Sequence, residues 1–156
     1  MHALLSNDLF IRKATNHDSD CVFLLLRQLW TEKCLDKDSI EKVFQTALVS
    51  EHDFTFCALY ENQVVGFVAG MKINNFYHTG AVCYISTLIV DEMFRGKQIG
   101  KRLLDTVVNY AKNSGCNAVE LDANFHRHDT HIFYERYGFS KRAFTFTLNF
   151  QEGSIL

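Results

Sequence analysis

Leu88-Ile89-Val90-Asp91-Glu92-Met93-Phe94-Arg95-Gly96-Lys97-Gln98-Ile99-Gly100-Lys101 decides how the rest of the chain is read. An apolar run with strand character stops, a short glycine-bearing basic turn follows, and an amphipathic helix starts at once. A helix N-terminus presents backbone N–H groups without helical partners and the positive end of a dipole. Glycine lets that backbone come close to a ligand. Arg95, Lys97, Lys101 and Arg102 add charge of the same sign. The segment suits an anion, above all a phosphate or pyrophosphate. Its spacing is neither that of a Walker A loop nor the G-x-G-x-x-G dinucleotide fingerprint. An ordinary strand-to-helix turn with solvated basic residues is the competing reading at this point.

The chain has 156 residues, which fit one domain, residues 1–156. Its 47% hydrophobic content is ample for a core, and 14 Phe against one Trp make that core Phe-rich. A net charge of −2 implies no general attraction to nucleic acid or to a membrane surface, so the basic turn is a local feature. The cysteines Cys21, Cys34, Cys57, Cys83 and Cys116 form no C-x-x-C pair and read as scattered reduced residues. No signal peptide pattern opens the sequence, and no apolar run approaches a membrane span. The expectation is a cytoplasmic protein.

Leu9–Ala14 reads as a short first strand. Asn16 and Asp18 can cap a helix over about Ser19–Glu32, with Val22, Leu25, Leu26, Leu29 and Trp30 near helical spacing. A second helix covers about Lys37–Leu48. Phe54–Tyr60 and Val64–Lys72 predict a hairpin around Glu61-Asn62-Gln63. After a loop over Asn74–Gly80, Val82–Val90 is a long strand that ends at the basic turn. Ile99, Leu103, Leu104, Val107, Val108 and Ala111 give the next helix an apolar face. Ala118–Ala123 alternates and predicts a strand parallel to the one before the helix, because a crossover helix joins them. Asp129–Tyr137 predicts a short helix stopped by Gly138. Phe139, then Phe144, Phe146, Leu148 and Phe150 alternating with Thr145, Thr147 and Asn149, predict a terminal hairpin. The fold class is a mixed, mostly antiparallel α/β sheet.

Arg95-Gly96-Lys97-Gln98-Ile99-Gly100, with His131-Ile132-Phe133-Tyr134-Glu135-Arg136-Tyr137-Gly138-Phe139 further on, resembles the two signature segments of the GNAT superfamily of N-acetyltransferases. Gln98 stands where that family usually has glycine. The element order fits over nearly the whole chain. Arg127–Tyr134 with the Phe-rich ending is most similar to the aminoalkylphosphonate and related small-amine N-acetyltransferases. The resemblance implies a central sheet whose parallel strand pair splays apart, flanked by helices. It implies acetyl-CoA as co-substrate, with its pantetheine on the edge of the strand before the turn. Backbone groups of Leu88, Ile89 and Val90 would meet the acetyl and pantetheine part. Arg95, Gly96, Lys97, Gln98, Ile99, Gly100 and Lys101 would hold the pyrophosphate, and Asn124 would contact pantetheine.

Acetyl transfer to an amine requires a neutral amine, a polarised thioester carbonyl and a proton for the leaving thiolate. Tyr134 stands where the family places its general acid, and a phenol can serve a developing thiolate once both are desolvated. Many relatives carry a Glu on the strand before the turn; Ser86 and Thr87 occupy that stretch here, and no carboxylate lies between Val82 and Val90. Glu120, Asp122, His126 and His128 are alternative bases, and a water chain is another. His126, His128 and His131 follow no strong zinc spacing, and the reaction needs no metal. Trp30, Phe76, Tyr77, His78, Ser86 and His126 are candidates for the acceptor side. The resulting expectation is an acetyl-CoA-dependent N-acetyltransferase, a transferase acting on a primary amine of a small molecule by direct attack in a ternary complex. A protein or peptide amine, or a CoA-binding module without catalysis, are the alternatives. The Phe-rich terminal strand, read as an exposed edge, gives the expectation of a homodimer.

Overall fold

The computed structural model describes residues 8–150. They fall into two compact units divided between Leu121 and Asp122.

The first unit holds five strands, β1 (Leu9–Lys13), β2 (Asp53–Tyr60), β3 (Gln63–Asn75), β4 (Gly80–Val90) and β5 (Ala118–Leu121), and three helices, α1 (Ser19–Leu29), α2 (Lys37–Val49) and α3 (Ile99–Asn113). The strands form one sheet in the order β1-β2-β3-β4-β5. All neighbours are antiparallel except β4 and β5, which are parallel as the crossover helix requires.

The sheet is covered on both faces. Cys57, Leu59, Phe67 and Ile89 are buried with Val22, Leu25 and Leu26 of α1 and Phe44 of α2. Gly66, one residue before Phe67 and so on the opposite face, lies against Leu103 and Ile99 of α3. Phe54 and Phe56 meet the ring of Tyr110 on that same helix, at 5.4 and 6.0 Å between centroids. The apolar stripe predicted for α3 is therefore its buried face: Ile99, Leu103, Leu104, Val107 and Ala111 are all buried.

Asp18 does not act as a side-chain cap for α1. Its carboxylate instead accepts from both terminal nitrogens of Arg12, at 2.7 and 2.9 Å, and from the N–H of Thr15 at 2.7 Å. The strands over-run their predicted limits where a partner is present: Asn74 and Asn75 extend β3 because they pair with Ala81 and Gly80. Helix α1 stops at Leu29 rather than Glu32, since Trp30 leaves helical geometry at φ −119° and ψ 68°.

The second unit holds α4 (His128–Tyr137), which ends at Gly138 with φ +123°. Phe139 packs on Tyr134 and Tyr137 behind it, at 5.6 and 5.7 Å between ring centroids. The predicted terminal hairpin is corrected here: among the described residues, no strand follows β5. Alternation of Phe and Thr gives residues 144–150 strand propensity, but a strand exists only where a ladder partner meets it. Phe144, Phe146, Leu148 and Phe150 are all exposed.

Candidate active site

The site is built from a defect in β4. Ala69 of β3 pairs with Thr87, whereas the next residue, Gly70, pairs with Ile85. Ser86 is thus an extra residue, a β-bulge, and bulges bend a strand and end regular pairing. The β4–β5 ladder stops at the same level, at Ile85 opposite Leu121. Beyond it β4 runs on to Val90 laddered to β3 alone. Thr87–Val90, the arm of β4 past the last rung to β5, thus has its β5-side edge outside the β4–β5 ladder and open to an added strand of that ladder. The bulge is tightly made. A Cβ on Gly70 would lie 2.0 Å from the Tyr84 carbonyl oxygen and 2.9 Å from the Ile85 Cα, so only glycine fits.

The open arm leads into the basic turn. Asp91 N–H donates to the Val65 carbonyl at 2.8 Å, and the Asp91 carboxylate accepts from Met93 N–H at 2.9 Å. Residues Glu92–Phe94 make one turn of 3-10 helix. Gln28 of α1 accepts from Glu92 N–H at 3.0 Å and so ties that helix to the turn. Arg95 folds back, its Nε donating to the Val90 carbonyl at 3.1 Å. Lys97 places its ammonium 5.2 Å from the Phe94 ring centroid.

Gly96 and Gln98 both take left-handed backbone, at φ +75° and +66°. This turns the chain so that α3 starts with its N-terminus at the end of the turn. The first helical bond is from Arg102 N–H to the Gln98 carbonyl, at 3.1 Å. The N–H groups of Ile99, Gly100 and Lys101 precede it, and the Gln98 side chain does not cap them. A Cβ at Gly96 would meet nothing within 4 Å, so the outer side of the turn is open. Lys101 is paired with Asp105 at 2.9 Å, one turn along α3. An extended thioester carrier ending in a diphosphate fits this arrangement: a strand edge for its amides, then helix amides for its phosphates.

The other candidate residues divide by position. Ser86 is the bulged residue, its Oγ 3.3 Å from the Ala69 carbonyl. Trp30 lines a cleft of about 460 Å³ with Phe23, Arg27, Thr31, Lys33, Cys34 and Leu35. Phe76, Tyr77 and His78 sit in the β3–β4 turn, at the end of β4 opposite the basic turn. His78 is half-buried there, its Nε2 2.7 Å from a Glu120 carboxylate oxygen. Glu120, a candidate base, is therefore drawn to that end of the sheet.

In the second unit Asn124 and His126 are exposed. His131 Nε2 lies 2.8 Å from the Asn124 carbonyl, and its ring is 6.0 Å from that of His128. Among the described residues, no three His, Cys, Asp or Glu side chains are grouped as metal ligands would be. Tyr134 is half-buried between Phe133 and Phe139. Burial pushes its phenol up to about 12, against a smaller opposing effect of Arg127. It is therefore a proton-bearing group throughout the neutral range.

Residues 19–139 match the Acetyltransferase (GNAT) family. The chain is 31% identical over 137 residues to an aminoalkylphosphonate N-acetyltransferase of Salmonella typhimurium, covering 88% of each. It is 27% identical over 139 residues to a glucosamine 6-phosphate N-acetyltransferase of Arabidopsis thaliana, covering 85% of the chain and 91% of the relative. Among solved structures, the aminoglycoside N-acetyltransferase AAC(6')-Iy in complex with CoA shares the fold at a TM-score of 0.82. Its identity is 18%, with 90% of this chain and 93% of that one covered. The chain belongs to the GNAT family of acetyltransferases. It is an acetyl-CoA-dependent N-acetyltransferase whose described residues form a five-stranded mixed sheet, and small-molecule amine acetyltransferases are among its relatives. No helix among the described residues is long and apolar enough to cross a membrane.

Proposed function

We propose that this enzyme moves the acetyl group of acetyl-CoA directly onto the primary amine of a small, anion-bearing molecule while both are bound. The observation that carries this reading is the open arm Thr87–Val90 running into the amides that open α3. Backbone groups of Leu88, Ile89 and Val90 take the pantetheine and acetyl part. The turn from Arg95 to Lys101 takes the diphosphate; Arg95 there also braces the turn against β4, and Asn124 serves pantetheine. Acetyl-CoA supplies the activated acyl group. A backbone N–H of the open arm polarises the thioester carbonyl as its oxygen gains charge.

The amine nitrogen attacks the carbonyl carbon, the carbon–sulfur bond breaks, and the thiolate takes a proton. We assign that proton to the phenol of Tyr134. Its raised pKa keeps the proton in place until a desolvated thiolate, itself a stronger base than in water, draws on it. No carboxylate lies between residues 80 and 90. The amine therefore loses its proton through water rather than to a carboxylate of β4, with Glu120, Asp122, His126 and His128 as the alternative bases.

For the acceptor, the cleft around Trp30 is the supported place. It sets Arg27 and Lys33 beside the aromatic surfaces of Phe23 and Trp30. Two cations on an apolar floor suit a compact amine that carries a phosphonate or phosphate. The names of the two relatives, an aminoalkylphosphonate and a glucosamine 6-phosphate acetyltransferase, point the same way. The family match crosses the division at residues 121 and 122, which supports a single acetyltransferase domain over residues 1–156. Exposed Phe144, Phe146, Leu148 and Phe150 at alternate positions support a homodimer, and the mass in solution tests it.

The deciding experiment measures release of CoA thiol with acetyl-CoA over a panel of amines. The panel pairs each aminophosphonate or amino sugar phosphate with its uncharged counterpart. Turnover favouring the anionic member by ten-fold or more in kcat/KM, and lost in Arg27→Ala, is the expected result. Equal turnover of both members removes the anionic acceptor. Turnover only with peptide amines removes the small-molecule reading.

A further inference from the structure

Cys83 and Cys116 stand 33 positions apart, yet the fold brings their sulfurs to 3.6 Å. Neither thiol has a part in the chemistry above. Cys83 is fully buried on β4, facing Lys72 of β3 on one side and Val119 of β5 on the other. Cys116 is half-buried in the connection that ends the crossover, between α3 and β5. That connection is held in place. Lys72 Nζ donates to the Ser114 carbonyl at 2.7 Å, Cys116 N–H to the Ala111 carbonyl at 2.9 Å, and Asn117 N–H to the Ala81 carbonyl at 2.8 Å.

A disulfide has its sulfurs about 2.05 Å apart, so closure needs a movement of about 1.5 Å. Rotation about χ1 of one cysteine moves its sulfur farther than that. We propose that Cys83 and Cys116 are an oxidisable dithiol, which a hydroperoxide or a low-molecular-weight disulfide converts into an intrachain bridge between β4 and the α3–β5 connection.

The two sulfurs have different tasks. Burial pushes the Cys83 thiol up to about 12, so it does not meet the oxidant first. Cys116 is the reachable partner. With hydrogen peroxide, its sulfur takes one oxygen as a sulfenic acid, and the other leaves as water. The Cys83 sulfur then displaces the sulfenic oxygen: the S–S bond forms, the S–O bond breaks, and the thiol proton leaves in a second water. The two sulfurs give up two electrons and the peroxide gains them. With a small disulfide, the same two electrons release two small thiols instead.

The bridge closes a ring from residue 83 to residue 116. The Ser86 bulge, the basic turn and α3 all lie inside it. Its constraint acts mainly on the unfolded chain and raises the unfolding temperature.

The test treats the full chain with hydrogen peroxide under native conditions, blocks the remaining thiols and maps the peptides. The expected result is a peptide pair joined through Cys83 and Cys116. The unfolding temperature should rise by about 5–10 °C, reversed by dithiothreitol. Cys116→Ser, treated alike, should show neither the pair nor the rise. A reduced Cys83 beside an over-oxidised Cys116 would overturn the proposal, as would a bridge from Cys116 to Cys21 or Cys34.

Discussion

The carboxylate of Asp18 is gripped by both terminal nitrogens of Arg12, at 2.7 and 2.9 Å, with Asp18 only 4% exposed. Hydrogen bonds from Arg12 hold that carboxyl below its ordinary range, against the opposing effect of burial. The folded state therefore keeps its carboxylate to lower pH than the unfolded chain does. The stability this contributes is present above about pH 4 and is lost as pH falls through the folded value. Asp18→Asn should cost about 2–4 kcal/mol at pH 7 and flatten the acid side of the stability profile. Urea unfolding from pH 3 to pH 7 measures both. A parallel downward shift with unchanged slope would show that the pair does not govern acid stability.

Tyr134→Phe keeps the ring packing between Phe133 and Phe139 and removes the proton. Turnover should fall about 100-fold, while the KM for acetyl-CoA changes by less than about three-fold. Because the phenol is pushed up to about 12, it keeps its proton from pH 6 to pH 10. An alkaline fall in turnover near pH 9 therefore belongs to another group and should persist in the variant. Steady-state kinetics from pH 6 to pH 10 decide it.

Gly70→Ala places a methyl group against the Tyr84 carbonyl and the Ile85 Cα, both backbone, so no side chain can yield to it. A loss of about 3 kcal/mol in chemical denaturation is expected. Gly70 pairs at the bulge, so the variant's affinity for CoA should fall with it. Calorimetric titration of CoA checks the second effect.

Gln98 holds φ at +66°, a conformation that costs a residue with a Cβ about 1 kcal/mol. Gln98→Gly relieves this but loosens the unfolded chain, so stability should stay within about 1 kcal/mol of the parent. Its backbone remains, so the KM for acetyl-CoA should hardly move. Gln98→Val adds a β-branched side chain in the same left-handed backbone and should destabilise the turn and raise that KM. Equal KM values for all three would detach the turn from the diphosphate.

Much of this was legible because it is local. The run ending at Val90, the basic turn and the stripe of Ile99, Leu103, Leu104 and Val107 are written in consecutive residues, and α3 buries that stripe. The parallel pairing of β5 followed from the crossover helix. What escaped is non-local or only one residue deep. Ser86 shows as an extra residue only against the pairing of β3. His78 and Glu120 meet across 42 positions, and Cys83 and Cys116 across 33. Residues 144–150 carry a strand's alternation, but alternation does not supply a neighbour.

The inserted Ser86 also sets the sidedness of β4. Ile85 pairs with Gly70 and Ile89 with Phe67, positions three apart on β3 and hence on opposite sides of the sheet. Two isoleucines of the same parity thus serve two different helix layers from one strand. If Ser86 were instead paired with Ala69 in a regular ladder, every residue after it would turn over, sending Ile89 out from beneath α1 and putting Leu88 in its place. The two-sided filling of the sheet by one strand is therefore the consequence of a single inserted residue.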